Sequence, residues 1–288
     1  MYLVTGATGP LGSAVVDQLV RRTGAEQVAA LVRDPAKAAR LSAAGVSVRV
    51  GDYDDTASLD RALAGVDRVL LVPGNDPDHR VQQHQHVLDA CVRAGVGLLG
   101  LASRAMRDTE ASRNGPMGDY LETEDRVRRS GLPHVLFRNA LYLDTVPLYV
   151  GGPDVFARGT VRLPAGDGAV AYVLRRELGE AAANGLVDHV GGDAVHVLAA
   201  GTAWTFADVA AALSEVSGTP VAWEPVDDEA YVAATVGRGV PEHLARRFLG
   251  FFHDVRDDQL DQTSDDLARL LGREPADLEA GVREVFGL

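Results

Sequence analysis

Near the beginning of the chain, Gly6, Gly9 and Gly12 form the spacing G-x-x-G-x-x-G. The pattern sits between the β-rich run Tyr2–Val4 and a segment in which Leu11, Val15, Val16, Leu19 and Val20 recur at helical intervals. A strand that turns through glycines into a helix is built to hold a phosphate. Gly6 permits the tight turn. Gly9 removes a side chain where the backbone must approach a pyrophosphate. Gly12 lets the helix pack closely. Thr8, Pro10 and Leu11 complete the loop. The helix N-terminus then offers unpaired N–H groups and a partial positive charge to the anion.

The theme repeats along the first half of the chain. Strands are expected at 27–32, 46–50, 66–72 and 96–102, and from 135 onward. Helices are expected from Asp34-Pro35 through Leu41, at 56–64, at 80–94 with Val81, Leu88, Cys91 and Val92 buried, and at 119–130. Strands alternating with helices of this length imply a parallel sheet covered on both faces. The fold class is therefore α/β: a doubly wound, parallel-sheet Rossmann fold over residues 1–145. Beyond it the rhythm changes. Gly151-Gly152-Pro153 reads as a turn, 159–168 as a hairpin or loop, 177–187 as a helix, and 194–198 as a strand that could return to the sheet. Five helices follow, at 205–217, 227–236, 241–252, 264–271 and 275–286, the first opened by a Thr205/Asp208 capping box. Residues 146–288 thus form a smaller, mainly helical C-terminal lobe that binds substrate.

A formal net charge of -13 argues against a nucleic-acid binder, which needs a basic face. Cys91 is the single cysteine, so no intrachain disulfide forms. No apolar run approaches the roughly 20 residues that span a bilayer, and the first strand leaves no room for a signal peptide. The expectation is a cytoplasmic protein that binds neither nucleic acid nor membrane.

Arg33 ends the second strand, where an NAD site usually carries Asp or Glu for the ribose hydroxyls. A guanidinium there suits a 2′-phosphate, and Lys37, one turn on, adds a second charge. NADPH is the expected cofactor and NADH a weaker one, with Asp34 still able to meet ribose. Asp52 and Tyr53, at the end of the third strand, are placed to touch adenine.

Several blocks in order resemble the atypical short-chain dehydrogenases called NmrA-like proteins, most closely the NAD(P)H:quinone oxidoreductase type 2 group. They are Val4-Thr5-Gly6-Ala7-Thr8-Gly9, Leu31-Val32-Arg33-Asp34-Pro35-Ala36-Lys37-Ala38, Gly51-Asp52-Tyr53, Glu122-Thr123-Glu124, Ser130-Gly131-Leu132, Arg138-Asn139, Ala165-Gly166-Asp167-Gly168 and Ala203-Trp204-Thr205. The resemblance implies a quinone or another flat acceptor held against the nicotinamide, between the Rossmann domain and the lobe. It implies cofactor contacts from the glycine loop, Arg33, Val72-Pro73-Gly74 and Ser103, with Arg138 and Asn139 near the nicotinamide. The chain departs from its relatives where they carry small hydroxyl residues in place of Val72-Pro73-Gly74, a threonine before Ser103, and often a histidine at Tyr120.

Typical short-chain dehydrogenases use Tyr-x-x-x-Lys, but here Tyr120 is followed by Glu124, and Lys37 is the only lysine. A nearby carboxylate would raise the phenol pKa, so alcohol oxidation by that dyad is not expected. Quinone reduction needs mainly proximity, orientation and donors for developing charge. Tyr120, Arg138 and Asn139 are the candidate donors. Three of the site residues also have a plain reading: Tyr120 as a core-edge aromatic, Arg138 as the partner of Glu124, and Ser103 as a cap. His84 and His86 diverge on their helix and read as solvated rather than as a metal pair, and no metal site is expected. Arg175 and Glu177 read as a structural pair. The aromatic run 244–252 reads as core, as a lid over an apolar substrate, or as a homodimer contact. The leading function is an NADPH-dependent oxidoreductase acting on a quinone or similar conjugated carbonyl. The alternatives are a non-catalytic NADP(H) sensor and a biosynthetic reductase of a polyketide or imine.

Overall fold

The computed structural model describes residues 1–74, 76, 78–108, 112 and 116–288. Seven parallel strands form the main sheet: β1 (Tyr2–Val4), β2 (Val28–Val32), β3 (Ser47–Val50), β4 (Arg68–Leu71), β5 (Leu98–Arg104), β6 (His134–Asn139) and, past two short strands β7 (Thr160–Val161) and β8 (Ala169–Val170), β9 (Ala194–Leu198). Their order is β3-β2-β1-β4-β5-β6-β9, so the chain reverses direction across the sheet between β1 and β4. In such sheets ligands bind outside the carboxyl ends of the strands at that switch.

The central strands β1, β2, β4 and β5 are nearly continuous apolar runs because both faces are covered, whereas the edge strands β3 and β9 are largely unburied. On one face α1 (Pro10–Thr23) packs, with Val15, Val16 and Leu19 fully buried. On the other, α3 (Thr56–Leu63) and α4 (Arg80–Ala94), which follow the short α2 (Ala39–Ala43), join α5 (Pro116–Arg129) over Leu3, Val69, Leu99 and Leu136. Fully burying each such aliphatic side chain contributes about 1.5–3 kcal/mol. The buried side of α4 runs through Arg80, Gln83, His84, Val87, Leu88 and Cys91. Val92 lies one position round the helix from Cys91 and is 49% exposed, contrary to expectation, and Val81 is only partly buried.

After β6 come α6 (Val146–Val150), α7 (Asp154–Arg158) and α8 (Arg175–Asp188). Helix α8 lies beside α1, and β9 pairs with β6, so chain beyond residue 145 completes the doubly wound layer. Beyond β7 the segment 159–168 is a loop, not a hairpin: β7 pairs in parallel with β11 (Ala222–Trp223), and β8, just after the segment, pairs antiparallel with β10 (Trp204–Thr205). Strands β7 and β8 are thus paired by chain from either side of α9 (Phe206–Ser217), which carries the expected Thr205/Asp208 capping box. With α10 (Asp228–Gly237), α11 (Glu242–Arg256) and, beyond α12 (Asp266–Leu271), α13 (Leu278–Phe286), these elements enclose a separate core around Tyr172, Phe206 and Phe252. Among the described residues no helix is long and apolar enough to cross a membrane.

Candidate functional site

A cleft of about 740 Å³ opens at the carboxyl ends of β1, β2, β4 and β5. Its floor is the glycine loop: Gly6, Thr8, Gly9, Pro10, Leu11 and Gly12. Gly6 has φ +57°, a left-handed conformation that favours glycine. A Cβ on Gly12 would stand 2.3 Å from the carbonyl oxygen of Gly6, so only hydrogen fits there. The close approach is helix to loop, tighter than the helix-to-strand packing that the spacing suggests. Gly9 precedes α1 without a side-chain cap, Pro10 occupies the first turn, and that turn holds no acid. Its N–H groups and positive dipole end are left to an anion, so these residues fit a dinucleotide pyrophosphate.

To one side of the loop, toward β2 and β3, the walls carry Arg33, Lys37, Asp52 and Tyr53. Arg33 and Lys37 are both exposed, as suits cations that meet a phosphate at the rim. Asp34 instead accepts from the Ala36 N–H at 2.9 Å and caps the turn after β2. Tyr53 has a double role. Its hydroxyl donates to the Val72 carbonyl at 2.9 Å and lies against the Thr5 hydroxyl, which accepts from the Val72 N–H at 2.9 Å. The tyrosine thereby ties the ends of β1 and β4 together. Burial raises the pKa of this phenol well above its ordinary value, despite the Thr5 contact and nearby Arg33. Val72, Pro73 and Gly74 line the centre of the cleft.

The opposite end lies toward β5 and β6. Tyr120 reaches it from α5, with the Arg80 guanidinium 5.3 Å from its ring centroid. Three further residues stand there that the sequence reading did not single out as cleft residues: Arg104, Tyr142 and Arg175. The Tyr142 ring has the Arg104 guanidinium 5.2 Å and the Arg175 guanidinium 5.5 Å from its centroid. Arg175 does not pair with Glu177. It stands 3.6 Å from Asp144, while buried Glu177 accepts from Arg273 at 2.9 Å and from the Ala276 N–H at 3.1 Å. Strand alternation is the signal that could have found Arg104: it is two residues from Ala102, and both line the cleft.

Ser103, Arg138 and Asn139 do not line the cleft. Ser103 and Arg138 are register partners on neighbouring strands, and their side chains meet at Glu124. Ser103 donates to Oε1 at 2.6 Å, Arg138 donates through Nε and Nη2 at 3.0 and 2.6 Å, and Arg128 donates to Oε2 at 2.8 Å. Burial opposes the charge of Glu124, but the bonds from Arg138 and Ser103 outweigh it and hold the carboxyl below its ordinary pKa. Asn139 is buried, its backbone oxygen accepting from the Ala105 N–H at 2.9 Å.

The phenol of Tyr120 does have a raised pKa, but the principal cause is burial. Arg104 and Arg80 act against that shift, and Asp119 is the nearby carboxylate that adds to it. His84 is not solvated: it is wholly buried, with Nδ1 2.8 Å from the Thr123 hydroxyl. The aromatic run is core in part: Leu249, Phe251 and Phe252 are buried, whereas Phe248 is 39% exposed. Phe252 and Ala245 are wholly buried, Tyr149 stacks on Phe251 with centroids 4.8 Å apart, and none of the run lines the cleft.

A family model described as NAD(P)H-binding matches residues 6–151. Quinone oxidoreductase 2 of Escherichia coli is 33% identical over 291 residues, covering 100% of this chain and 99% of that protein. NAD(P)H azoreductase of Xenophilus azovorans is 30% identical over 95% of this chain and 93% of its own length. The crystal structure of the E. coli NADPH-dependent quinone oxidoreductase complexed with NADPH matches with a TM-score of 0.92 at 32% identity, covering 99% of this chain and 100% of that one. The chain belongs to the NAD(P)H-binding family and is similar over its full length to quinone oxidoreductase 2.

Proposed function

We propose that this protein is an NADPH-dependent oxidoreductase that reduces a quinone or a similar conjugated carbonyl. One observation carries the reading: a single cleft joins an uncapped helix N-terminus, a cationic rim at Arg33 and Lys37, and an aromatic end at Tyr120 and Tyr142. The first two features suit a phosphorylated dinucleotide, and the third suits a flat acceptor beside its far end. The relatives' names point the same way. Our reading places the reaction in the cytoplasm.

NADPH, held by the glycine loop and Arg33, would supply the hydride that, with one proton, turns a quinone into a hydroquinone and leaves NADP+. The protein's own part is placement. The glycine loop and Arg33 would fix the cofactor at one end, and Tyr120 with the Arg104–Tyr142–Arg175 stack would bound the acceptor at the other. The Tyr120 hydroxyl can donate a hydrogen bond to the oxygen on which charge develops. Its raised pKa keeps it protonated near neutrality, which suits a donor and opposes the role of base.

The test is oxidation of NADPH, followed by its near-ultraviolet absorbance, with a panel of small quinones and with NADH in parallel. Acceptor-dependent turnover that favours NADPH is the expected result. Tight NADPH binding with no turnover on any acceptor would replace this reading with a non-catalytic NADP(H) sensor.

A further inference from the structure

In a chain of net charge -13, the arginines of the described structure are widely paired: Arg138 with Glu124, Arg80 with Asp119, Arg176 with Glu284. Arg104 stands apart. It ends β5, is half-buried and lines the cleft, yet among the described residues no carboxylate bonds to it. Three phenols face it, Tyr142, Tyr120 and Tyr149, and Tyr142 is also its hydrogen-bonding neighbour. The Tyr142 ring lies beneath its guanidinium, and a second cation, Arg175, lies against the same ring. A half-buried guanidinium on phenols gains a modest cation–π attraction and one phenol contact, but most of its five N–H donors and its charge have no carboxylate to meet. An oxyanion that brings two acceptors to the fork supplies both missing terms.

The cofactor's own phosphates are provided for elsewhere. The glycine loop at β1 suits the pyrophosphate and Arg33 with Lys37 at β2 suits the 2′-phosphate, whereas Arg104 lies two strands beyond β1 in the opposite direction. The anion that would meet it is therefore carried by the acceptor.

We infer that Arg104, seated on Tyr142 and flanked by Arg175, is a specificity-determining residue that selects acceptors bearing an anionic substituent, a sulfonate or phosphate on the flat ring. This rests on the reductase reading above. It adds that a charged acceptor is preferred to its neutral parent, and that position 104 sets the preference.

The experiment uses the full chain saturated with NADP+ and measures binding of naphthalene-1-sulfonate, 1-naphthyl phosphate and neutral 1-naphthol. Naphthalene-1-sulfonate should bind about tenfold more weakly to Arg104→Gln than to the unaltered chain, with Arg104→Lys between them, while 1-naphthol changes less than about threefold. The two anions separate a sulfonate site from a phosphate site by which binds more tightly. In the unaltered chain, added salt should weaken both anions and spare the naphthol, a readout that holds even if the Gln variant fails to fold. Turnover is the second readout: the kcat/KM ratio of 1,4-naphthoquinone-2-sulfonate to 1,4-naphthoquinone should fall about tenfold in Arg104→Gln. Equal losses for charged and neutral ligands would make Arg104 a purely structural stack and overturn the inference. A matching loss of NADP+ affinity would overturn it by assigning the residue to the cofactor. Anion binding through Arg104 with no turnover on any quinone would sink the reductase reading while leaving the anion site standing.

Discussion

Arg138 grips Glu124 at two points, Nε to Oε1 at 3.0 Å and Nη2 to Oε2 at 2.6 Å, and Ser103 closes on the same carboxylate at 2.6 Å. The residue that occupies the usual lysine position after Tyr120 is thus spent on binding α5 to β5 and β6. Glu124→Gln keeps the shape but not the charge; it leaves Arg138 without its counter-ion, while Arg128 retains Asp125 at 3.1 Å. Arg138 is 31% exposed and Arg128 is 41% exposed, so water softens the loss. The expected cost is about 1–3 kcal/mol, read from denaturant midpoints. The same carboxylate sets a pH dependence. Its folded pKa is depressed, so its contribution is complete above the unfolded value of about 4.3 and is lost as pH falls through the folded value. The Gln variant should lack that acid-side loss. If instead NADPH affinity fell sharply with stability intact, Glu124 would belong to the binding site.

Tyr120→Phe tests whether the phenol does more than orient the acceptor. The ring and its contact with Arg80 remain, and only the hydroxyl donor is lost. A hydroquinone anion can take its proton from solvent, so quinone reduction should fall by no more than about tenfold, or roughly 1.4 kcal/mol of barrier. A loss of several orders of magnitude in kcat at unchanged KM would show that the hydroxyl is an obligatory acid.

How much of this was legible in the sequence depended on distance along the chain. The glycine loop was, because strand, turn and helix are contiguous, and Gly6 to Gly12 act on one another within seven residues. Arg33 and Tyr53 followed from their places at the ends of β2 and β3. Arg104 was not, because choosing between Ser103 and its neighbour requires knowing which face of β5 is turned to the cleft. Ser103 resembles a ligand-touching hydroxyl by type, but register with Arg138 sends it to Glu124. Arg175 was hidden further still: it reaches the cleft only because α8, more than 150 residues after α1 in sequence, packs beside it. For His84 the polar neighbours in sequence misled, since Thr123 on α5 supplies its partner from 39 residues away.

His84 gives a second pH prediction. Burial, aided by the charges of Arg80 and Arg126, pushes its pKa down to about 3. The unfolded histidine takes a proton near pH 6.5, but the folded one resists it. Stability is therefore complete above about pH 6.5 and declines as pH falls toward the folded value, by about 1.4 kcal/mol per pH unit once the unfolded histidine is fully charged. His84→Gln can keep the bond to Thr123 and cannot ionise. It should flatten the stability curve between roughly pH 6 and pH 4, measured by chemical denaturation across that range. An unchanged slope would mean that His84 is protonated in the folded protein, with water or a neighbour stabilising its charge.

Arg33 decides between the two nicotinamide cofactors. Its guanidinium lines the cleft at the end of β2 with Lys37 close by, and neither has a carboxylate partner among the described residues. NADH brings only hydroxyls to this corner, whereas NADPH brings a phosphate of nearly two charges, which a fork of N–H donors holds at two points. Arg33→Glu reverses the local charge and offers the ribose the carboxylate typical of NAD sites. NADPH should bind about thirtyfold or more weakly, while NADH holds or improves, both measured by fluorescence titration at one fixed salt concentration. Because both side chains are exposed, the NADPH preference of the unaltered protein should also shrink as salt rises. Equal losses for the two cofactors would show that Arg33 supports the loop after β2 rather than reading the 2′-phosphate, and Lys37 would then be the residue to reverse.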